Sequence, residues 1–305
     1  MARSTTRQGA AHGARPRWRL NRLSLLPALL ALLGILALSY PTVAAWLTQY
    51  NQSKVVTAYE QQVAHTDPDA RTQLSEARQY NEALSVGALL EANTNVPTGQ
   101  GSSGSVLDYR KILTANADGL MGRVRIPVID VDLPIYHGTD ERSLLKGVGH
   151  LEGTSLPVGG ADRRTVLTAH RGLADARMFT DLDKVKIGDS FTVEVFGEVL
   201  TYRVRDAKVV QPEETESLRV EPGKDLATLV TCTPLGINSH RILLTGERVV
   251  PTPAADVAKA GSPPEVPGFP WWIFWILGAL VLVGVYVWWS GLPVKPRKAK
   301  AAPQE

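Results

Sequence analysis

The chain has 305 residues, 44% of them hydrophobic, with 33 Lys and Arg against 30 Asp and Glu and a single cysteine. That length and apolar content suit one folded domain of ordinary size plus membrane segments. One cysteine excludes a disulfide scaffold, and a net charge of +3 excludes nucleic-acid binding by bulk charge.

The basic excess is local. Arg3, Arg7, Arg15, Arg17, Arg19 and Arg22 crowd the start with no acid among them, so residues 1–22 read as a basic cytoplasmic segment. Residues 23–47 carry no charge and are rich in Leu and Ala, long enough to cross a bilayer as a helix, which needs roughly 20 apolar residues. The alternative is a cleaved secretory signal, with Val43-Ala44-Ala45 as small residues at the cut. Residues 48–90 are poor in Gly and read as a helical extension divided at Pro68, the second helix starting near Asp69. Leu74, Ala77, Tyr80, Asn81 and Leu84 give it a modest apolar stripe, and His65 reads as a solvated surface residue. Residues 91–121 are expected to be a flexible loop and lead-in, because Glu91 to Ser105 is crowded with Asn, Gly, Ser and Pro.

From residue 122 to 250 the texture is β. Short runs begin at Val124 and Val131 and recur at Arg164–Ala169, Ser190–Phe196, Leu200–Val210, Ala227–Cys232 and Arg241–Val249. Between them Thr139 to Gly147 reads as a short helix, capped at Thr139, with Leu144 and Leu145 turned inward. Many short strands with few helices predict a mainly β fold, an antiparallel barrel or sandwich. A linker at 251–270 leads to a second uncharged span at 271–290, bracketed by Trp271, Trp272 and Trp275 and by Trp288 and Trp289; a basic tail follows at 291–305. Basic ends on the cytoplasmic side place both termini inside and everything between the spans outside.

The chemistry-bearing residue is Cys232, at the end of Thr228-Leu229-Val230-Thr231-Cys232-Thr233-Pro234, where Pro234 ends the strand. By itself such a residue is either a small buried hydrophobe or a reactive thiol. A reactive thiol needs a histidine. His170 ends another strand and opens a loop, so it holds the same kind of place, while His137, His150 and His240 lie elsewhere along the β segment. Arg241 stands across a tight loop from Cys232; it reads either as an edge-strand arginine or as a donor to a developing oxyanion. Glu213, Glu214 and Glu216 read as a solvated loop, with calcium binding as the alternative, and one Cys with scattered His lacks zinc-ligand spacing, so no metal or cofactor is expected.

Thr228-Leu229-Val230-Thr231-Cys232, His170 in Leu-Thr-Ala-His and Arg241 together resemble the sortase family of cysteine transpeptidases, over about Gly122 to Val249. The resemblance implies a closed sortase-type β-barrel and catalytic roles for Cys232, His170 and Arg241. It implies cleavage of an LPxTG-like sorting signal between Thr and Gly through a thioester. The paired spans and the helical extension are similar to the pilin-polymerising class C branch, which implies a pilin or surface-protein substrate and a pilin lysine as amine acceptor. The alternatives are a housekeeping sortase that uses a peptidoglycan precursor, and a non-catalytic membrane-tethered β-domain scaffold. The chain departs from class C in one place: Glu91 to Ser105 has no Asp-Pro-aromatic lid motif, and Asp67-Pro68-Asp69 lacks the aromatic residue.

Overall fold

The computed structural model describes residues 18–84 and 108–293, and the expected loop at 91–105 lies outside them. The chain divides into two compact units, Met1–Tyr40 with Trp271–Glu305, and Pro41–Pro270.

In the first unit, helix α1 (Arg22–Val63) begins and the helix Trp272–Ser290 ends the described chain. Both are long and apolar enough to cross a membrane. Their apolar side chains face outward, Leu23 and Trp275 being 85% and 81% exposed, a surface that suits a bilayer. Ser290 Oγ donates to Ser24 Oγ at 2.8 Å, and Trp18 Nε1 donates to the Trp288 carbonyl at 2.8 Å. Pro27 and Pro41 do not interrupt α1, and the helix runs on through residue 47 without a break.

In the second unit, α1 continues to Val63, and α2 (Ala70–Ala83) follows, capped by Asp69, whose carboxylate accepts from Thr72 N at 2.8 Å. The face that α2 buries holds Gln73, Leu74, Ala77, Tyr80 and Asn81, close to the expected stripe. Polar side chains fasten this helical pair to the β domain. Tyr59 OH donates to the Met121 carbonyl at 2.9 Å, and Asn81 exchanges two bonds with the Leu156 backbone at 3.0 and 2.7 Å, as a neighbouring strand would.

The β domain is a closed barrel of eight strands: β1 (Leu120–Ile126), β2 (Val131–His137), β3 (Val148–His150), β4 (Arg163–Thr168), β5 (Ser190–Val195), β6 (Glu198–Val210), β7 (Asp225–Thr233) and β8 (His240–Arg248). They close in the order β1-β2-β3-β4-β7-β8-β6-β5. Val124, Ile135, Leu167, Phe191, Val193, Leu229 and Leu244 fill the interior, each inaccessible or nearly so. Burying side chains of this size is worth about 1.5–3 kcal/mol each. The β5–β6 hairpin turns on Phe196 and Gly197, both at positive φ, the twist that tight hairpins require.

Two pairings are parallel, β2 with β3 and β4 with β7, which the expectation of an antiparallel sheet did not contain. The reason is connectivity. Helix α3 (Glu141–Lys146) carries the chain from β2 back to the start of β3, and the β5–β6 hairpin intervenes between β4 and β7. Strand β3 itself escapes the sequence pattern because it has three residues with a glycine in the middle; a Cβ on Gly149 would collide with the Gly138 carbonyl oxygen. Helix α3 also differs from expectation. Asp140 caps it, accepting from Ser143 N at 3.0 Å, and Leu144 is buried whereas Leu145 is 51% exposed. So short a helix presents a single narrow face to the barrel, and the next residue points away.

A buried ionic cluster moors the chain after β8. Arg123 grips Asp132 with two bonds of 2.6 Å and donates to the Ser262 carbonyl at 2.8 Å, while Glu194 accepts from Gly261 N at 2.9 Å. Helix α4 (Ala254–Ala258) lies in this returning segment, and α5 (Trp272–Ser290) is the apolar helix of the first unit.

Candidate active site

Strand β7 ends with Cys232 and Thr233, and every alternative direction for its neighbours is taken. Thr228 Oγ1 accepts from Arg164 at 2.8 Å and lies 3.1 Å from Thr245 Oγ1; Thr231 Oγ1 donates to the Ala169 carbonyl at 2.8 Å. The threonines of the run therefore hold strands together, and the half-buried thiol of Cys232 is left free.

Two strands flank β7 near Cys232. On one side β8 returns antiparallel and sets Arg241 directly opposite Cys232. On the other, β4 runs parallel to β7 with Thr168 opposite Val230, and the pairing continues in the bond from Ala169 N to the Val230 carbonyl at 3.2 Å. Two residues further along both strands are His170 and Cys232. Because the pairing is parallel, both strands finish at the same end of the barrel.

His170 is 24% exposed, and its Nε2 lies 3.5 Å from Glu141 Oε1. That contact is electrostatic, since Nε2 has no hydrogen-bond partner among the described residues. Glu141, in the first turn of α3, is a neighbour that no sequence pattern announced. Arg241 is half-buried, and its Nη1 donates to the carbonyls of Asn238 and His240 at 2.9 and 3.1 Å, fixing the stem of the β7–β8 loop. Leu235 and Ile237 stand exposed on this loop.

The remaining histidines of the β domain have different surroundings. His137 is buried with Nδ1 3.0 Å from the Gly119 carbonyl and Nε2 2.8 Å from that of Ile112, and burial lowers its pKa. His150 is fully buried between Tyr109 OH at 3.0 Å and the Ser155 carbonyl at 2.9 Å, and burial pushes it down to about 4. His240 Nδ1 lies 2.9 Å from Ser239 Oγ. His65 is exposed against its own helix, 2.6 Å from the Gln61 carbonyl.

Of the acidic group before β7, Glu216 pairs with Arg219 at 2.6 Å and Glu214 accepts from Gln211 N at 3.3 Å. Among the described residues no three His, Cys, Asp or Glu side chains gather as a metal site would require. Arg248 is only 16% exposed in its side chain and lies over the Tyr202 ring.

Known proteins resemble this chain in sequence and in fold. A sortase-domain family profile matches residues 124–249. Sortase C-1 from Actinomyces oris is 48% identical and superposes with a TM-score of 0.53, covering 59% of this chain and 97% of that one. Sortase C of Streptococcus pneumoniae is 38% identical with a TM-score of 0.56, over 64% of this chain and 96% of that one. Sortase D of Bacillus subtilis is 30% identical over 139 residues, which are 45% of this chain and 66% of that protein. The chain thus spans just under two thirds of the Bacillus subtilis protein and nearly the whole of the two solved structures. With its eight-stranded barrel and these relatives, the chain belongs to the sortase family of cysteine transpeptidases.

Proposed function

We propose that Cys232 is the nucleophile of a membrane-anchored transpeptidase, with His170 as its acid and base and Arg241 as the group that steadies the substrate carbonyl. The observation that supports this reading is register: the parallel β4–β7 pair runs to two residues before His170 and Cys232, and the β7–β8 hairpin pairs Cys232 with Arg241.

The chemistry follows from the residue types. The Cys232 thiolate attacks the carbonyl carbon between Thr and Gly of an LPxTG-like sorting signal. The amide C–N bond breaks, the glycine amine leaves with a proton from the His170 imidazolium, and the acyl group remains on sulfur as a thioester. An acceptor amine then attacks the thioester, transfers a proton to His170 and forms the new amide as the Cys232 sulfur departs. Arg241 presents its planar fork to the carbonyl oxygen, where negative charge grows in both steps.

The acceptor in this reading is a pilin lysine ε-amine, giving an isopeptide bond. Its support is the naming of relatives: the Streptococcus pneumoniae enzyme is described for its pilin substrate specificity, and a group B streptococcal relative is a pilus-island sortase C2. A second reading, transfer to the amine of a peptidoglycan precursor, is favoured by the matches to proteins named sortase A. The two apolar helices would anchor the enzyme with its basic ends in the cytoplasm and the barrel outside. Protease treatment of intact cells should then cut the barrel side and spare tags at both termini.

The full chain in detergent, incubated with a sorting-signal peptide and either a lysine-bearing pilin segment or a wall-precursor amine, should yield a linked product identified by mass. A hydroxylamine-sensitive acyl-enzyme should accumulate without an acceptor and be absent in Cys232→Ala. Product formation by Cys232→Ala would refute the assignment of the nucleophile, and selective use of the wall precursor would replace pilus assembly by wall anchoring.

A further inference from the structure

The backbone ladder between β4 and β7 stops short of the residues that matter most. Its last members are the bond from Ala169 N to the Val230 carbonyl and, from a side chain, that of the Thr231 hydroxyl to the Ala169 carbonyl. Beyond them, Cys232 and Thr233 stay paired with β8 on one side, but on the other side His170 has left β4 for a loop. A segment without a ladder frays, and a group on it loses the fixed geometry that bond-making requires.

One side chain spans the gap. Arg171, next after His170, is 7% exposed, and each nitrogen of its guanidinium has a different partner. Nη1 donates to Oγ1 of Thr233, the residue after Cys232, at 2.8 Å. Nε donates to the Thr180 carbonyl at 3.0 Å, and Nη2 pairs with Asp183 at 2.8 Å. The loop that supplies these partners is itself tied back to the β4 end: Phe179 N donates to the His170 carbonyl at 3.1 Å, and Gly172 N to Thr180 Oγ1 at 3.1 Å.

We propose that Arg171 is a positioning residue which clasps the His170 strand end to the Cys232 strand end through Thr233, so that thiol and imidazole hold their mutual place during acyl transfer. This rests on the roles given above to Cys232 and His170. A guanidinium suits the task because three contacts in one plane, one to the end of β7 and two to the loop at 180–183, fix a position; a lysine ammonium on a flexible stem does not reproduce that fork. Arg171 touches neither substrate nor reacting atoms in this scheme and acts only through the two strand ends.

The test uses the full chain in detergent and the variants Thr233→Val, Arg171→Lys and Arg171→Ala, each checked for melting temperature. Thioester formation is measured across peptide concentrations. Thr233→Val should lower kcat about tenfold and Arg171→Ala about 100-fold, with KM changed by less than about threefold, because geometry and not peptide binding is lost. Arg171→Lys should restore only part of the rate. Adding Thr233→Val to Arg171→Lys should cost little more, since both break one contact. Wild-type kcat in Thr233→Val, or full additivity in the double variant, overturns the proposal, and Thr233→Val decides alone if Arg171→Ala does not fold. Alkylation of Cys232 by iodoacetamide, which needs no peptide, separates the two readings. If the wild type forms no thioester, the transpeptidase assignment fails, yet slower alkylation in Thr233→Val and Arg171→Lys still supports the clasp, and unchanged alkylation refutes it.

Discussion

Two histidine environments in one barrel show how differently the same side chain can be used. His150 lies fully buried, with Tyr109 OH on one ring nitrogen and the Ser155 carbonyl on the other. His170 stands at a strand end, partly exposed, with Nε2 near Glu141 but without a hydrogen-bond partner among the described residues. Burial holds the His150 ring neutral and its two hydrogen bonds fix it in place, whereas the His170 ring keeps one nitrogen unpaired at a strand end and is, in the reading proposed above, the one that carries a proton. Residue type makes both histidines candidates, and saturation of their hydrogen bonds tells them apart.

Substitution should break the pair along different axes. His170→Ala should reduce the rate of thioester formation by about 10²–10⁴-fold, the range for loss of a general acid and base, while shifting the melting temperature little. A retained rate would move the role to another group. Arg241→Lys, keeping the charge and losing the fork, should lower kcat by about 10–100-fold, and an unchanged kcat would argue against carbonyl stabilisation. His150→Ala should do the reverse of His170→Ala. It leaves buried polar groups unpaired at a cost of about 1–3 kcal/mol, read as a lower melting temperature, with kcat of the folded fraction preserved.

Acid should sharpen the same contrast. The folded-state pKa of His150 is depressed to about 4 from an ordinary 6.5, so its neutral form is the one the fold accepts. The unfolded chain binds that proton as pH falls through about 6.5, whereas the folded chain resists until about 4, and stability is lost across that window. The loss is at most about 3 kcal/mol and is complete below the folded value. Denaturant titrations between pH 7 and 4 should show the decline, and His150→Gln should flatten it. The smallest effect expected is that of Glu141→Gln. The glutamate is 65% exposed and its contact with His170 is solvent-screened, so the rate should change by less than about threefold. A larger loss would give Glu141 a part in holding the ring.

The sequence reveals these elements unevenly, for physical reasons. Strands such as Thr228 to Cys232 announce themselves because β-branched residues favour a pleated, half-buried surface, and the Cys232–Arg241 pairing follows from a hairpin of a few residues. The pairing of β4 with β7 has no local signature. Parallel neighbours are chosen by the whole course of the chain, and nothing within Arg164 to His170 records which strand lies alongside. Strand β3 is too short and too rich in glycine to show a period, and Leu145 follows Leu144 so closely that apolar character alone cannot assign its face. Arg171 reads in sequence as the start of a loop, because its partners Thr233 and Asp183 become neighbours only in the closed barrel.

The parallel β4–β7 contact has a bearing on when the protein becomes chemically competent. The bond from Thr231 to Ala169 joins residues 62 apart in sequence, with the β5–β6 hairpin between them in the chain. Contacts of such long range arise late, once most of the loop-closure entropy has been met. A chain not yet folded therefore carries the Cys232 thiol and the His170 imidazole far apart. Folding brings the two strand ends to one end of the barrel, and it does so only once β4 and β7 have paired.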